Sequence, residues 1–200
     1  MIKTVILSSG QGSNARKILE FWKAGKLPNI EIAALISDKP DAGALNVAKE
    51  FGIKSIYLDP MRKGAFFSEE GAKFYLENLE FLCAQFLILA GFMRILPPSI
   101  TKKYANRAIN LHPSLLPAFK GKDAIKQAFD YGVKYAGCTV HFVNDDLDGG
   151  KIIAQKAVEV LPSDTLESLE KKVHAAEHEL LPRVVAKIGA GEIEDFSFPQ

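Results

Sequence analysis

The chain has 200 residues, with 25 basic and 24 acidic side chains and a formal net charge of +1. That balance, with no block of five or more basic residues, excludes a nucleic-acid backbone as an evident partner; an anionic ligand must be held by local geometry. At 48% hydrophobic and 24% charged, with no apolar run of membrane-spanning length, the composition is that of a globular chain able to bury one core, and no membrane partner is expected. Cys83 and Cys138 lack C-x-x-C spacing and read as reduced thiols of a cytoplasmic protein. The start, Met1 to Val5, passes directly into a strand without the pattern of a signal peptide.

Taken in order, Lys3 to Ser8 is β-rich, Ser9 to Asn14 is a glycine turn, and Ala15 to Ala24 has helical pattern with Gly25 as its stop. Strands are predicted at Glu31 to Ser37 and Lys54 to Leu58, with a helix over Ala42 to Phe51 between them. Ser68 to Leu82 reads as a longer helix. Phe86 to Ala90 is a continuous apolar run, as in a strand covered on both faces. After the loop Gly91 to Pro98 come a short helix over Ser99 to Tyr104, a strand over Ala108 to Leu111 and a helix over Lys122 to Tyr131. Cys138 to Val143 and Ile152 to Val160 are strands too close in sequence for a parallel crossover, so they form an antiparallel hairpin. Asp164 with Glu167 marks a helix start; the helix runs to about Ile188, kinked at Pro182 and ended by Gly189 and Gly191. Residues 192–200 are a loosely held tail. The fold class is α/β: a doubly wound, mostly parallel sheet with helices on both faces and a C-terminal antiparallel hairpin, in one domain. Residues 1–105 are expected to be its phosphate/nucleotide-binding half and 106–191 its catalytic and ligand-binding half.

Ligands in such sheets bind at the carboxyl ends of the strands. Gly10 and Gly12 allow a tight turn into a helix N-terminus, whose free N–H groups suit an anion, with Ser13 and Asn14 adding donors. The same turn, as Gly10-x-Gly12-x-x-Ala15 with Asp38 at the next strand end, also fits a dinucleotide site, or an ordinary βα turn. Asn110 and His112, two apart on a strand, share a face; one can hold a carbonyl oxygen while the other moves a proton. In Asn144 to Gly150, Asn144, Asp146, Asp148 and Gly149 match part of a calcium loop, but position 12 is Gln155 and the flanks are strands. An inward Asp148, freed by the paired glycines, would orient His112 and favour its imidazolium. Glu177 lies on the apolar stripe of the last helix and needs either a ligand hydroxyl or a lysine at the core edge. His174 and His178 lack the H-E-x-x-H arrangement of a zinc site.

Several of these stretches together resemble the phosphoribosylglycinamide formyltransferase family: Gly12-Ser13-Asn14, Ala90 to Leu96, Asn110-Leu111-His112-Pro113-Ser114-Leu115-Leu116-Pro117, Val140 to Val143, Leu147-Asp148-Gly149-Gly150 and Glu177-His178. They occur in the family's order over nearly the whole chain, and the resemblance displaces the dinucleotide reading. It implies transfer of a formyl group from 10-formyltetrahydrofolate, a co-substrate, to the amine of glycinamide ribonucleotide in purine synthesis, without a metal. It implies phosphate binding by Gly12, Ser13 and Asn14 and ribose binding by Glu177. Folate contacts fall to Met93, Arg94, Ile95, Leu96, Asn110, Val143, Asn144 and Asp148, and catalysis to Asn110, His112 and Asp148. The assembly expected is a monomer or weak homodimer. In place of a basic residue at the third helix start stands Phe66 to Glu70, with Arg62 and Lys63 as the nearest cations. The alternative in the same chemistry is a 10-formyltetrahydrofolate hydrolase, whose usual extra N-terminal domain is not expected here. A methionyl-tRNA formyltransferase would need an added RNA-binding domain, and a non-catalytic folate or nucleotide sensor would not need Asn110, His112 and Asp148 together.

Overall fold

The computed structural model describes residues 1–196. Its first half alternates β1 (Ile2–Leu7), α1 (Ser13–Lys23), β2 (Ile30–Ser37), α2 (Gly43–Glu50), β3 (Lys54–Tyr57), α3 (Glu69–Phe81) and β4 (Phe86–Leu89). The second half continues with α4 (Pro98–Lys103), β5 (Ala108–His112), α5 (Ala124–Tyr131), β6 (Tyr135–Phe142), β7 (Ile152–Glu159) and α6 (Leu166–Ala190). The strands make one seven-stranded sheet in the order β3-β2-β1-β4-β5-β6-β7. The first five are parallel; β6 runs antiparallel to both β5 and β7.

Strand alternation sorts the core into two clusters, one on each face. Ile6, Ile88, Ile109 and Leu111 point to the face covered by α1, α2, α5 and α6. Val5, Leu7, Leu87, Leu89 and Ala108 point to the other, covered only by α3 and α4. The second face is therefore less completely roofed. Because Ala108 belongs to it, so do Asn110 and His112, at the carboxyl end of β5.

Several boundaries differ from the sequence expectation for physical reasons. The cap of α6 is Thr165 rather than Asp164: Thr165 and Ser168 exchange side-chain and backbone hydrogen bonds in a capping box. Asp164 instead takes Lys172 at 2.5 Å and the Leu161 N–H at 2.7 Å, which hold its carboxyl down at about 2. The helix continues through Pro182 to Ala190, with Gly191 as the left-handed cap. Gly189 lies inside it, because a Cβ there would sit 1.9 Å from the Pro28 carbonyl oxygen. Strand β6 begins at Tyr135, three residues earlier than expected. Gly137 is a close contact in the ladder: a Cβ would meet the Lys156 carbonyl oxygen at 2.1 Å. The start of the tail is docked rather than loose. Phe196 is 4% exposed, edge-on to Phe86 at 5.1 Å, and Asp195 pairs with Lys151 at 2.7 Å. The rest of the predicted tail, residues 197–200, lies outside the described residues.

Candidate active site

Two stitches join the strand ends that carry the loops. Ser8 Oγ donates to the Ala90 carbonyl at 2.8 Å, and Ser9 Oγ accepts the Met93 N–H at 2.8 Å. They bring the loop after β1 against the loop after β4. Gly12 then opens α1 in the left-handed region, φ 81°, and no side chain caps the helix. A Cβ on Gly12 would stand 2.6 Å from Ala44 Cα, so α2 also requires this glycine. The uncapped N–H groups of Ser13, Asn14 and Ala15 and the positive end of the helix dipole make an anion-accepting corner. Asn14, in the first turn, donates from Nδ2 to Glu177 Oε2 at 3.0 Å.

Glu177 is 4% exposed on α6. A lysine at the core edge is not its partner; Asn14 and His174 share its Oε2, the imidazole Nδ1 at 2.9 Å. The two residues predicted for phosphate and ribose, 163 positions apart, are thus in direct contact. Asn14 Oδ1 and His178 Nε2 are buried without a hydrogen-bond partner among the described residues.

On the other face, the run from Asn110 to Pro117 is held from below. Thr139 Oγ1 donates to the Ser114 carbonyl at 2.7 Å and accepts the Leu116 N–H at 3.1 Å. Gln155 donates from Nε2 to the Leu116 carbonyl at 2.9 Å. His112, 4% exposed, donates from Nε2 to the Phe119 carbonyl at 2.9 Å. That leaves Nδ1 facing Asp148 Oδ2 at 3.3 Å.

Asp148 reaches this point on the connection between β6 and β7. The connection packs Val143 on the second core, bonds Asp145 Oδ1 to Thr101 Oγ1 of α4 at 2.5 Å, and turns at Asp148. Asp148 itself adopts the left-handed conformation, φ 48°. The glycines after it serve close approach: a Cβ on Gly150 would lie 1.7 Å from the Phe142 carbonyl oxygen. The carboxylate accepts the Gly121 N–H at 2.9 Å and lies 3.4 Å from Asn110 Nδ2. Burial pushes Asp148 up, but the donors around its carboxylate, the Gly121 N–H among them, and the charge of His112 outweigh it and hold the carboxyl below its ordinary value.

His141 is a member of this cluster that the sequence reading left without a role. It stands opposite Asn110 in the ladder. Its Nδ1 donates to the Phe142 carbonyl at 2.8 Å, so its Nε2 accepts from Asn110 Nδ2 at 3.2 Å. The signal was present: the β6 residues Thr139 and His141 alternate with Cys138, Val140 and Phe142, which belong to the opposite core.

The loop's side-chain oxygens splay instead of converging: Asp145 to α4, Asp148 to the imidazoles, and the Asn144 amide oxygen to the Asp146 N–H at 3.1 Å. No group of three or more His, Cys, Asp or Glu arranged to hold a metal occurs among the described residues.

A cleft with a cavity of about 90 Å³ opens beside the cluster, lined by Leu89, Phe92, Arg94, Ile95, Leu96, Asn110, His141 and Val143 to Asp148. Most of the predicted folate contacts line it. Met93 does not; its side chain is 64% exposed, and its backbone serves the stitch to Ser9. Arg94 lines the cleft with its guanidinium already committed, Nε to Asp38 at 2.6 Å and Nη1 to the carbonyls of Arg62 and Gly64. Asp38, the candidate ribose acid of the dinucleotide alternative, is consumed in that pair, with a side chain 1% exposed. Arg62 stacks on Phe66 at 5.6 Å.

A buried acid–base cluster at one strand end beside a cleft, with an anion-accepting helix start two strands away, is an arrangement suited to group transfer, and the chain belongs to the formyl transferase family, whose pattern matches residues 2–185. Within that family it is similar to the phosphoribosylglycinamide formyltransferase of Bacillus subtilis, 39% identical over 94% of this chain and 95% of the relative. The Escherichia coli protein of the same name is 36% identical over 95% of this chain and 88% of its own length. Among solved structures, glycinamide ribonucleotide transformylase 1 from Symbiobacterium toebii superposes with a TM-score of 0.89 at 39% identity, covering 96% of this chain and 89% of that one.

Proposed function

We propose that the protein transfers the formyl group of 10-formyltetrahydrofolate to the amine of glycinamide ribonucleotide. The observation that carries this reading is the pairing of two sites across one sheet edge. Asn110, His112 and Asp148 converge on the α3/α4 face, and Asn14 and Glu177 meet at the start of α1. β1 and β5 are separated by β4 alone, so the two sites are offset by roughly 10 Å, two interstrand spacings. That distance suits a small ribonucleotide phosphate bound at one end and its amine at the other.

In this reading the phosphate takes the N–H groups of Gly12, Ser13 and Asn14, and the ribose hydroxyls take Glu177. The folate ring enters the cleft between Leu89 to Leu96 and Val143 to Asp148. The free amine attacks the formyl carbon directly, so the enzyme supplies no nucleophile. As the carbon becomes tetrahedral, its oxygen gains negative charge and accepts hydrogen bonds from Asn110 Nδ2 and from Nδ1 of His112 acting as its imidazolium. The 3.4 Å bond from Asn110 to Asp148 is the weaker of the two its amide makes, and is the one exchanged for the oxyanion. The attacking nitrogen loses a proton to Asp148, directly or through water; His112 gives one to the folate nitrogen as the carbon–nitrogen bond breaks. The formamide and tetrahydrofolate leave with the proton count unchanged.

The test is a spectrophotometric assay for loss of the formyl group from 10-formyltetrahydrofolate, with and without glycinamide ribonucleotide. Turnover that requires the ribonucleotide is expected. Formate release without it would replace transfer by hydrolysis, and no turnover under either condition would overturn the reading.

A further inference from the structure

We infer that His174 is a positioning residue that holds Glu177 for the ribonucleotide and makes the affinity for that substrate depend on pH. The inference rests on the reading of Glu177 as the group that takes the ribose hydroxyls.

A carboxylate as buried as Glu177 needs donors. Its neighbours on α6 are apolar and closed: Val173 is 0% exposed, Ala176 3% and Leu181 0%. Both donors it has, Asn14 Nδ2 and His174 Nδ1, act on Oε2. Oε1 has no donor among the described residues, so it is the oxygen available to a vicinal diol. Of the two donors only the imidazole titrates. Its side chain is 53% exposed against 5% for Glu177, so the ring is open to solvent while its partner is buried.

The other charged groups around this contact are spoken for. On α1, Lys17 pairs with Glu20 at 2.7 Å. On β7, Lys156 pairs with Glu179 of α6. On α5, Lys126 pairs with Asp130 at 2.5 Å. On β6, burial and the charge of Glu177 push the Cys138 thiol up to about 12, so it stays neutral. On α6 itself, burial holds His178 below its ordinary value, while Glu170 adds a second negative charge toward His174. The hydrogen bond to Glu177 raises His174 above the usual histidine value, although burial opposes it.

The imidazolium always presents a proton at Nδ1. The neutral ring divides between two tautomers, and the one protonated at Nε2 turns a lone pair toward the carboxylate. A raised histidine holds its interaction below its ordinary value and loses it as the pH climbs through the raised one. Affinity for the ribonucleotide thus falls on the alkaline side. His174 touches no reacting atom, so the effect belongs to KM rather than kcat.

The experiment measures KM and kcat for glycinamide ribonucleotide from about pH 6 to 9 in wild type, His174→Gln, His174→Ala and Glu177→Gln, with thermal melts to verify folding. Wild-type KM is expected to rise about fivefold relative to His174→Gln across that range, because glutamine donates without titrating. The alanine variant should show a KM about tenfold higher at the acid end, the equivalent of one lost charge-assisted hydrogen bond. Parallel pH profiles for wild type and His174→Gln, or losses confined to kcat, would overturn the inference. Glu177→Gln separates the two claims: an unchanged KM there would remove the ribose reading itself, whereas a raised KM with parallel histidine profiles would remove only the role of His174.

Discussion

Asn110 and His141 stand directly across the β5–β6 ladder from each other, with the amide nitrogen 3.2 Å from the imidazole Nε2. The bond from His141 Nδ1 to the Phe142 carbonyl fixes the tautomer, and the tautomer fixes which end of the Asn110 amide faces the site. Replacing His141 by alanine frees that amide to rotate. One hydrogen bond of about 1.4 kcal/mol is tenfold in rate, so His141→Ala should lower kcat by on the order of tenfold with little change in either KM. Steady-state kinetics on a variant with a cooperative melt checks this; an unaltered kcat would show that Asn110 is oriented by other contacts.

Asp148 joins Asn110, His112 and the 121 backbone, and in the reading above it takes a proton. His112→Ala and Asp148→Asn should each reduce turnover by on the order of a hundredfold or more while the fold survives. Wild-type turnover from either variant would dismiss the mechanism.

The same carboxylate has a measurable effect on stability. Its folded value lies below the ordinary one, despite burial, because the Gly121 N–H and the charge of His112 favour the charged form. A depressed carboxyl stabilises the fold above the unfolded value of about 3.9 and loses that contribution as pH falls through the lower folded value. Urea midpoints of wild type and Asp148→Asn should therefore converge as pH drops from about 6 toward 3. A constant gap would assign the stability difference to packing.

Arg94 and Asp38 form a pair with side chains 14% and 1% exposed. Truncation of the arginine leaves a buried carboxylate without its cation. Arg94→Met should cost about 3 kcal/mol, and Arg94→Met combined with Asp38→Asn should recover more than half of it. The difference is read from denaturant midpoints. If the double variant is no more stable than the single one, the pair is not what holds the 62–64 turn against β2.

Thr101 anchors the wall of the cleft through Asp145. Thr101→Val keeps the shape and removes the donor. KM for 10-formyltetrahydrofolate should rise about fivefold, near 1 kcal/mol, and Thr101→Ser should restore it. A loss in the serine variant with the valine variant unaffected would point to packing of the methyl group instead.

Much of this was legible from residue patterns. Apolar runs and helical stripes located every strand and helix, because both core clusters are built from regular alternation. Asn110 and His112 could be paired from their spacing alone. The contact between Asn14 and Glu177 could not, since it depends on how α6 returns across the sheet to α1. His141 escaped for a similar reason: an isolated histidine in an apolar strand is informative only once its ladder partner is known, and the antiparallel pairing of β6 with β5 supplied that partner. Asp38 and Arg94 lie at different strand ends and look like independent ligand groups until the β2–β1–β4 order brings them together. At Gly189 local propensity was outweighed by the close approach of the distant Pro28 carbonyl, and at Asp164 by the side chains of Lys172 and Ser168.

The unequal roofing of the sheet bears on kinetics. Asn110 and His112 look out on the side of α3 and α4, whereas Asn14 and Glu177 belong to the side of α1 and α6. In the proposed reading the sheet edge is then a partition, with the formyl donor arriving from one side and the ribonucleotide from the other. Neither molecule crosses the other's route, so the architecture imposes no compulsory sequence of arrival. Initial-rate lines for the two substrates should intersect, with both orders of addition open.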